Sequence, residues 1–345
     1  MKILHIIAGA AHGGAETFCL DAIKSLHEQG VEQHVICRAH PDFTKALDER
    51  HIPYKTITFS RFLKPLEQRV INKAVKTYAP DLVHSWMSRA SSFVPKGIKQ
   101  PVLGWFGGYY NLKNYKNADY YMGVTKDIVR HIKENITDQT RAYVVHTFGT
   151  LAEDKPIAKS DFGLDDNAKT VLMLSRMHWK KGVDTLLEAG KKIPNLHLLI
   201  AGDGPDLEKY KTLAKSIGME QNAHFLGWRD DRAALLSISD VCALPSRYEP
   251  FGTVIAESWY AKVPLVATRA DGAKQYVEHG ENGLLSDIDD VDTLAENIKT
   301  ALKDDALREK IIKGGTETYN TLFSKDVVTQ SLIDAYEEMI KRGKV

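Results

Sequence analysis

The chain has 345 residues, enough for two domains with separate cores, and its 46 lysines and arginines nearly balance 45 aspartates and glutamates, which argues against a nucleic-acid partner. No apolar run approaches the roughly 20 residues of a membrane helix, and the opening segment is too short for a signal peptide, so we expect a cytoplasmic protein. The cysteines (Cys19, Cys37 and Cys242) show neither disulfide nor metal spacing, which predicts buried thiols in a reducing compartment.

The first predicted element is a buried strand over residues 2–8, which leads through a glycine-rich turn into a helix over 17–29. A strand, a glycine turn and a helix in this order place free backbone N–H groups where an anion can bind. The glycines do not follow the G-x-G-x-x-G spacing of dinucleotide-binding domains. The next strand, 32–37, ends in Arg38 rather than in an acid that would hold a ribose, so we do not expect NAD.

A third strand is predicted over residues 54–59, and the segment 60–76 that follows is basic and interleaved with apolar residues. One interpretation is an amphipathic helix that docks on the sheet. The other is a helix at a membrane interface, with the protein held peripherally at the inner face of the membrane. The cations of this segment are Arg61, Lys64, Arg69, Lys73 and Lys76.

The strand predicted over residues 81–87 carries His84 close to its carboxyl end, where open α/β sheets bind their ligands. His84 is therefore a candidate site residue, and a buried structural histidine is the alternative. Further strands of the first domain are predicted within 101–110, 117–125 and 141–148, with Thr125 capping a helix.

Residues 150–168 are polar and predict a linker, after which a buried strand over 169–175 opens the second domain. The turn after this strand carries Arg176 and Lys181 and leads into a helix over 183–192. Two cations on a strand-to-helix turn suit the neutralisation of a diphosphate leaving group, and solvated loop charges are the alternative. The other elements predicted in this half are strands at 196–201, 241–244 and 263–268, and helices at 233–239, 253–261, 291–303, 305–314 and 324–341.

The most informative stretch is Pro245-Ser-Arg-Tyr-Glu-Pro-Phe-Gly-Thr-Val-Ile-Ala-Glu257, which lies between a predicted strand and a predicted helix. Its turn leaves free N–H groups near Gly252 and Thr253, and such a helix end attracts phosphate. Glu249 and Glu257 bracket this end. Carboxylates beside a phosphate site suit a nucleotide sugar, which offers hydroxyl donors; the alternative is that both are solvated surface charges.

The Glu-x7-Glu spacing with its internal Glu-Pro-Phe-Gly resembles the signature of retaining glycosyltransferases of family four. The turn with Arg176, Lys181 and Gly182 matches the same family, and looser similarity extends through the first half. The resemblance implies an α/β protein of the GT-B fold, in which two doubly wound Rossmann-like domains face each other across a cleft. We expect an acceptor-side domain over 1–150, joined by a C-terminal helix at about 324–345, and a donor-binding domain over 169–323.

The resemblance also assigns roles to residues. Those expected to act on the reacting sugar and its leaving group are Arg176, Lys181, Glu249 and His84. Those expected to bind the donor are Gly13, Gly14, Leu226, Phe251, Gly252, Thr253 and Glu257, with Leu226 in a loop beside the nucleobase and Glu257 on the ribose. Relatives usually have Gly-Gly and a glutamate where this chain has Asp271 and Gln275.

The implied activity is transfer of a sugar from a nucleoside-diphosphate sugar with retention of configuration. UDP is expected before GDP, with no cofactor and no essential metal. The expected acceptor is a glycan, a lipid-linked molecule or a small molecule, in the synthesis of cell-surface polysaccharide or glycolipid. Two other classes stay open: a nucleotide-sugar epimerase or hydrolase of the same fold, and a non-catalytic nucleotide-sugar binding protein.

Overall fold

The computed structural model describes residues 1–9, 13–148, 151 and 155–345. The chain divides into two compact units, which we call the first unit (Met1–Phe148 with Lys325–Val345) and the second unit (Gly149–Ser324). Each unit has a parallel sheet whose strands alternate with helices. The predicted α/β class with two doubly wound, Rossmann-like domains is therefore confirmed.

In its described residues, the first unit forms a seven-stranded sheet in the order β3-β2-β1-β4-β5-β6-β7. Its strands are β1 (Lys2–Ile7), β2 (Glu32–Cys37), β3 (Tyr54–Thr56), β4 (Leu82–Trp86), β5 (Val102–Phe106), β6 (Tyr120–Gly123) and β7 (Ala142–Val144). Its helices before the second unit are α1 (Gly14–Glu28), α2 (Pro41–Asp48), α3 (Lys64–Tyr78), α4 (Met87–Phe93) and α5 (Lys126–Lys133). Thr125 caps α5 as predicted, accepting a hydrogen bond from the Ile128 N–H at 3.1 Å.

The second unit, over its described residues, forms a six-stranded sheet in the order β10-β9-β8-β11-β12-β13. Its strands are β8 (Lys169–Leu174), β9 (Leu196–Ala201), β10 (Ala223–Gly227), β11 (Val241–Leu244), β12 (Leu265–Thr268) and β13 (Leu284–Ser286). Its helices are α6 (Val183–Lys191), α7 (Leu207–Ser216), α8 (Arg232–Ser237), α9 (Thr253–Tyr260), α10 (Ala273–Tyr276), α11 (Val291–Lys303) and α12 (Asp305–Leu322).

The last helix, α13 (Lys325–Arg342), belongs to the first unit. Its Tyr336 hydroxyl lies 2.7 Å from Nδ1 of His84, and the hydroxyls of Thr329 and Ser25 lie 2.5 Å apart. These contacts seat α13 against β4 and α1. Within the described residues, none of the helices combines the length and the apolar composition needed to cross a membrane.

The central strand β8 shows why the sheet residues read as continuous apolar runs. Val171 and Met173 belong to one buried hydrophobic cluster, whereas Leu172 and Leu174 belong to another. Successive side chains of a strand point to opposite faces, so both faces of this sheet are packed against helices. A strand buried on both faces is a continuous apolar run instead of alternating between apolar and polar residues. This is why the position of β8 can be predicted from the sequence.

Two of the differences between predicted and observed element boundaries have a clear structural cause. The strand expected over 54–59 ends at Thr56, because Phe59 has φ of +52° and the carboxylate of Glu67 binds the Thr58 N–H at 2.8 Å. The helix expected to end at 314 continues to Leu322. A Cβ on Gly314 would lie 2.2 Å from the Glu281 carbonyl oxygen, so this glycine permits close packing and does not end the helix.

Each sheet reverses its strand order beside its first strand. β1 lies between β2 and β4 in the first unit, and β8 lies between β9 and β11 in the second. In open α/β sheets, ligands bind beyond the carboxyl ends of the strands at this switch point. The loops after β8 and β11 in the second unit, and those after β1 and β4 in the first, are therefore the expected ligand-binding loops.

Candidate active site

The loop after β8 is fixed by close contact with the loop after β9. Gly202 has φ of +140°, and a Cβ there would lie 1.8 Å from the Ser175 carbonyl oxygen. The Met177 N–H donates to the Asp203 carbonyl oxygen at 2.9 Å, and the Trp179 N–H donates to Oδ2 of Asp206 at 2.8 Å. The backbone that carries the predicted cations is thus held by its neighbour.

The same loop contacts the loop after β11 directly. Gly182 has φ of +67°, and a Cβ there would lie 2.0 Å from the Pro245 carbonyl oxygen. The Lys180 carbonyl oxygen accepts hydrogen bonds from the N–H groups of Arg247 and Tyr248, at 2.8 and 3.1 Å. Glycine is required at 182 both for its backbone angle and for the approach of the two loops.

Arg247 joins these loops to the rest of the second unit. Its guanidinium binds both carboxylate oxygens of Asp184 at 2.9 Å and Oδ1 of Asp289 at 2.7 Å. Burial tends to raise the pKa of Asp184, but the hydrogen bonds and charge of Arg247 lower it overall. Planar bidentate pairing of this kind is specific to arginine. Arg247 lies inside the stretch that begins at Pro245, but its role is not evident from the sequence.

Two predicted catalytic side chains meet in this arrangement. The Lys181 ammonium lies 2.5 Å from Oε2 of Glu249, and both side chains are largely shielded from solvent. Arg176, on the same turn as Lys181, is exposed and has no ion-pair partner in the part of the chain that the structure describes. One cation is therefore paired with the carboxylate, and the other is available to an anion.

The first turn of α9 lies where the sequence predicts an anion-binding helix end. Gly252 precedes it with φ of +81°, and a Cβ there would lie 3.0 Å from Cγ of Glu249. The amides of the first turn, Thr253 and Val254 among them, have no acceptors inside the helix and point toward its N-terminal end. Phosphate is the kind of anion that binds at such a helix end. Lys181 is linked to this end because it pairs with Glu249, whose side chain lies beside Gly252.

Phe251 and the loop after β12 shape this turn. A Cβ on Gly272 would lie 2.2 Å from the Phe251 carbonyl oxygen, and the Gly272 N–H donates to the Glu249 carbonyl oxygen at 2.7 Å. The ring of Phe251 is buried against Tyr276 and Phe323, with centroids 5.9 and 5.3 Å away. A donor contact by Phe251 would therefore come from its backbone.

Glu257 lies in the second turn of α9 and is only 1% exposed. Its Oε1 accepts a hydrogen bond from Arg232, and its Oε2 is buried without a partner among the described residues. Burial raises the pKa of Glu257, and the charge and hydrogen bond of Arg232 oppose that rise. The sequence predicts a helix start near Arg232 but gives no signal for the pair with Glu257.

Leu226 lies farther along the sheet than the other candidates of the second unit. It belongs to β10, which β9 separates from β8. Its side chain is half-buried and packs against the hydrophobic cluster that contains Leu172 and Leu235. Proximity to a nucleobase stays a prediction for this residue.

The remaining candidates belong to the first unit. Gly13 and Gly14 lie at the N-terminus of α1, which follows β1 at the switch point; residues 10–12 of the predicted glycine turn lie outside the described part. A Cβ on Gly13 would lie 2.3 Å from Oε2 of Glu16, and one on Gly9 would lie 2.3 Å from Cγ of Glu16. The Glu16 side chain thus folds back over the first turn of α1.

His84 lies inside the sheet of the first unit and is fully buried. Its ring stacks on Trp86 with centroids 4.1 Å apart, and its Nδ1 hydrogen-bonds the Tyr336 hydroxyl at 2.7 Å. Burial lowers the pKa of His84 well below the usual range. These surroundings favour the structural alternative, and a role at the reacting sugar stays a prediction.

Asp271 and Gln275, which depart from the family pattern, form hydrogen bonds within their own segment. Asp271 pairs with Lys274 at 2.7 Å, and the amide of Gln275 donates to the Asp271 carbonyl oxygen at 2.6 Å. Among the described residues, no group of three or more His, Cys, Asp or Glu side chains has the arrangement of a metal site. Arg176, Lys181 and the amides at the start of α9 are the candidate groups for binding an anion.

Similarity to known proteins extends over almost the whole chain. The family described as "Glycosyl transferases group 1" matches residues 154–318, and the family described as "Glycosyltransferase Family 4" matches residues 12–148. The lipopolysaccharide core biosynthesis glycosyltransferases LpsD and LpsE of Rhizobium meliloti (strain 1021) are 32% and 30% identical to the chain, each over 99% of both proteins.

Solved structures agree on the fold. The Anabaena protein Alr3699/HepE, in complex with UDP and glucose, superposes with a TM-score of 0.84 at 22% identity, over 98% of this chain and 100% of that one. A glycosyltransferase from Rickettsia africae superposes with a TM-score of 0.86 at 22% identity, over 99% of this chain and 98% of that one. The chain therefore belongs to the group 1 glycosyltransferases and has their two-domain, Rossmann-like GT-B fold.

Proposed function

We propose that the protein transfers a sugar from a nucleoside-diphosphate sugar to an acceptor, with retention of the anomeric configuration, as a family-four glycosyltransferase. The observation that carries this proposal is the convergence in the second unit of Arg176, the Lys181–Glu249 pair and the first turn of α9. All of them follow β8 or β11, the two strands that flank the switch point. Positive groups converge there, as a departing diphosphate requires.

Each group has a task in this proposal. Arg176, Lys181 and the amides of Gly252 and Thr253 stabilise the negative charge that develops on the leaving diphosphate. Glu249, held by Lys181 at 2.5 Å, accepts hydrogen bonds from the sugar hydroxyls and places the anomeric carbon. The acceptor then delivers its hydroxyl oxygen on the face of the sugar from which the diphosphate leaves.

For the donor we propose a UDP-sugar first and a GDP-sugar second. Solved structures of Alr3699/HepE contain UDP and UDP-glucose, and this supports a uridine nucleotide. For the acceptor we propose a glycan or a lipid-linked saccharide in cell-surface polysaccharide or glycolipid synthesis. The names of LpsD and LpsE, which match the chain along its whole length, support that class of product.

We also propose peripheral contact with a membrane through the surface around the start of α3. Phe62 is 96% exposed and Leu66 is 55% exposed, and Arg61 and Arg69, which flank them in the sequence, are exposed as well. The acid of this segment, Glu67, is buried and binds the Thr58 N–H and hydroxyl at 2.8 and 2.6 Å. The outward face therefore combines apolar and positive groups, as binding to anionic lipid requires.

The test of the activity is a thermal-shift screen of the purified protein against UDP- and GDP-sugars, followed by product analysis with and without saccharide acceptors. A glycoside that forms only with acceptor, and whose anomeric proton coupling matches the donor, supports the proposal. Free sugar or an epimerised nucleotide sugar formed equally without acceptor would favour the epimerase or hydrolase instead. Binding without turnover of any donor would favour a non-catalytic binding protein.

A further inference from the structure

Glu257 presents a carboxylate whose two oxygens have different surroundings. Oε1 accepts a hydrogen bond from Arg232, while Oε2 is buried and has no partner among the described residues. Burial of a carboxylate is strongly unfavourable unless both of its oxygens have hydrogen-bond donors. The site therefore lacks one donor, and a hydroxyl of a bound molecule would supply it.

Arg232 provides the counter-charge that stabilises the buried carboxylate of Glu257. It is the first residue of α8, and its side chain is about one-third exposed. Its neighbour Arg229 is bound to Asp231 instead, so Arg232 provides the positive charge at Glu257. The Cys242 thiol also lies near Glu257, and burial raises its pKa, so it stays neutral.

We propose that Arg232 is a positioning residue of the donor site: it holds Oε1 of Glu257 and keeps the carboxylate charged, so that Oε2 accepts hydrogen bonds from the ribose hydroxyls of the nucleotide. This inference rests on the proposed function, which supplies the nucleotide. The family resemblance assigned the ribose contact to Glu257 alone, and the dependence on Arg232 comes from the structure.

The physical reason is the state of Glu257 when Arg232 is absent. A carboxylate in this position without a counter-charge takes up a proton, because the neutral acid is cheaper to bury. A neutral acid makes hydrogen bonds about half as strong as those of a carboxylate. Replacement of Arg232 should therefore weaken the recognition of ribose hydroxyls and leave the diphosphate contacts intact.

The test is calorimetry with UDP and GDP, each beside its 2′,3′-dideoxy form, so that the ratio of the two affinities reports the hydroxyl contact alone. We expect the native protein to bind the ribonucleotide about 10- to 100-fold more tightly than the dideoxy form. Arg232→Gln should reduce that ratio to less than about threefold, and Arg232→Lys should retain most of it. Arg229→Gln, which removes a neighbouring arginine that binds Asp231, should leave the ratio unchanged.

Glu257→Gln alone should bring the ratio of the two affinities close to one. Adding Arg232→Gln to Glu257→Gln should not change that ratio further. A merely structural Arg232 would lower the melting temperature and weaken both nucleotides equally; an unchanged ratio in Arg232→Gln overturns the inference while the proposed function stands. A native protein that binds UDP or GDP without preferring the ribose form also overturns it. If the native protein binds neither diphosphate, the proposed function fails and the inference fails with it.

Discussion

Lys181 and Glu249 are 68 residues apart in the chain, yet the Lys181 ammonium donates to Oε2 of Glu249 across 2.5 Å. The pair brings the proposed leaving-group cation next to the proposed sugar-binding carboxylate. Gly182 makes this contact geometrically possible, because its missing side chain lets the Pro245 carbonyl oxygen approach.

Glu249 and Glu257 should have separable roles. Glu249→Gln should lower turnover with the full donor by about one to two powers of ten and leave affinity for the bare nucleoside diphosphate nearly unchanged. Glu257→Gln should weaken the diphosphate complex and raise the Michaelis constant. Steady-state kinetics beside calorimetry measures both, with the exposed Glu278→Gln as a control. Loss of diphosphate binding in Glu249→Gln with full turnover would show that the roles are wrongly assigned.

Gly182→Ala should separate the two loops. The substitution adds a Cβ at φ of +67° and 2.0 Å from the Pro245 carbonyl oxygen, which is backbone and cannot rotate away. We expect turnover to fall more than about tenfold, since misplacement by about 1 Å can cost that much or more. Gly218→Ala is the matched control, because Gly218 has φ of +80° in open space. It should lose only about 1–2 kcal/mol of stability and keep native turnover. Equal kinetics in both variants would contradict the role given to this contact.

Activity should survive the removal of divalent metal. In the proposal, Arg176, Lys181 and the amides of α9 neutralise the diphosphate, so chelation should leave the rate within about twofold of the untreated protein. Dialysis against EDTA, followed by an assay with metal-free donor, checks this. A loss of turnover that manganese or magnesium restores would refute it.

The first unit should lose stability in mild acid because of His5 and His84. Burial lowers the pKa of both, that of His5 to about 3, so the folded state needs them neutral. A folded pKa below the unfolded value of about 6.5 gives stability that is complete above pH 6.5 and is lost as the pH falls toward the folded pKa. Protonation of His5 should cost about 1.5 kcal/mol between pH 6.5 and 5.0, and the protonation of His84 should add to that loss.

Urea unfolding of the native protein and of His84→Asn at pH 7.5 and 5.0 measures this loss. The variant should be less stable at pH 7.5 but should lose less on acidification. His51→Asn, which replaces an exposed histidine, should keep the native difference between the two pH values. An identical acid loss in native protein and His84→Asn would rule out this origin of the pH dependence.

The protein should bind anionic vesicles at low salt through the surface at the start of α3, where Arg61 and Arg69 are exposed. It should leave the vesicles as the salt concentration rises, because dissolved ions screen these charges. Phe62→Ser should reduce the fraction of protein that sediments with vesicles. The native phenylalanine is 96% exposed, and in the proposal it inserts into the membrane interface. Ser92→Ala, at an exposed hydroxyl of α4, provides a neutral control. Absence of binding by the native protein at low salt would leave a helix that only docks on its own sheet.

What the sequence alone determined is local. The apolar runs of the strands, the glycine and proline of the turn before α9 and the spacing of Glu249 and Glu257 follow from contacts within a few residues, and they indicated both the α/β class and the anion-binding helix end. A resemblance built on these motifs was enough to predict a glycosyltransferase of the GT-B fold, which the comparisons confirm, whereas the retaining mechanism stays a prediction.

Only the tertiary structure decided which of these groups meet. Arg232 reaches Glu257 across 25 residues of sequence, and Arg247 reaches Asp184 across 63. Periodicity reports whether a residue faces a core, but it carries no information on which strand lies beside which. The order β9-β8-β11 places the two site loops side by side, and that order is set by the packing of whole helices and strands rather than by any one segment.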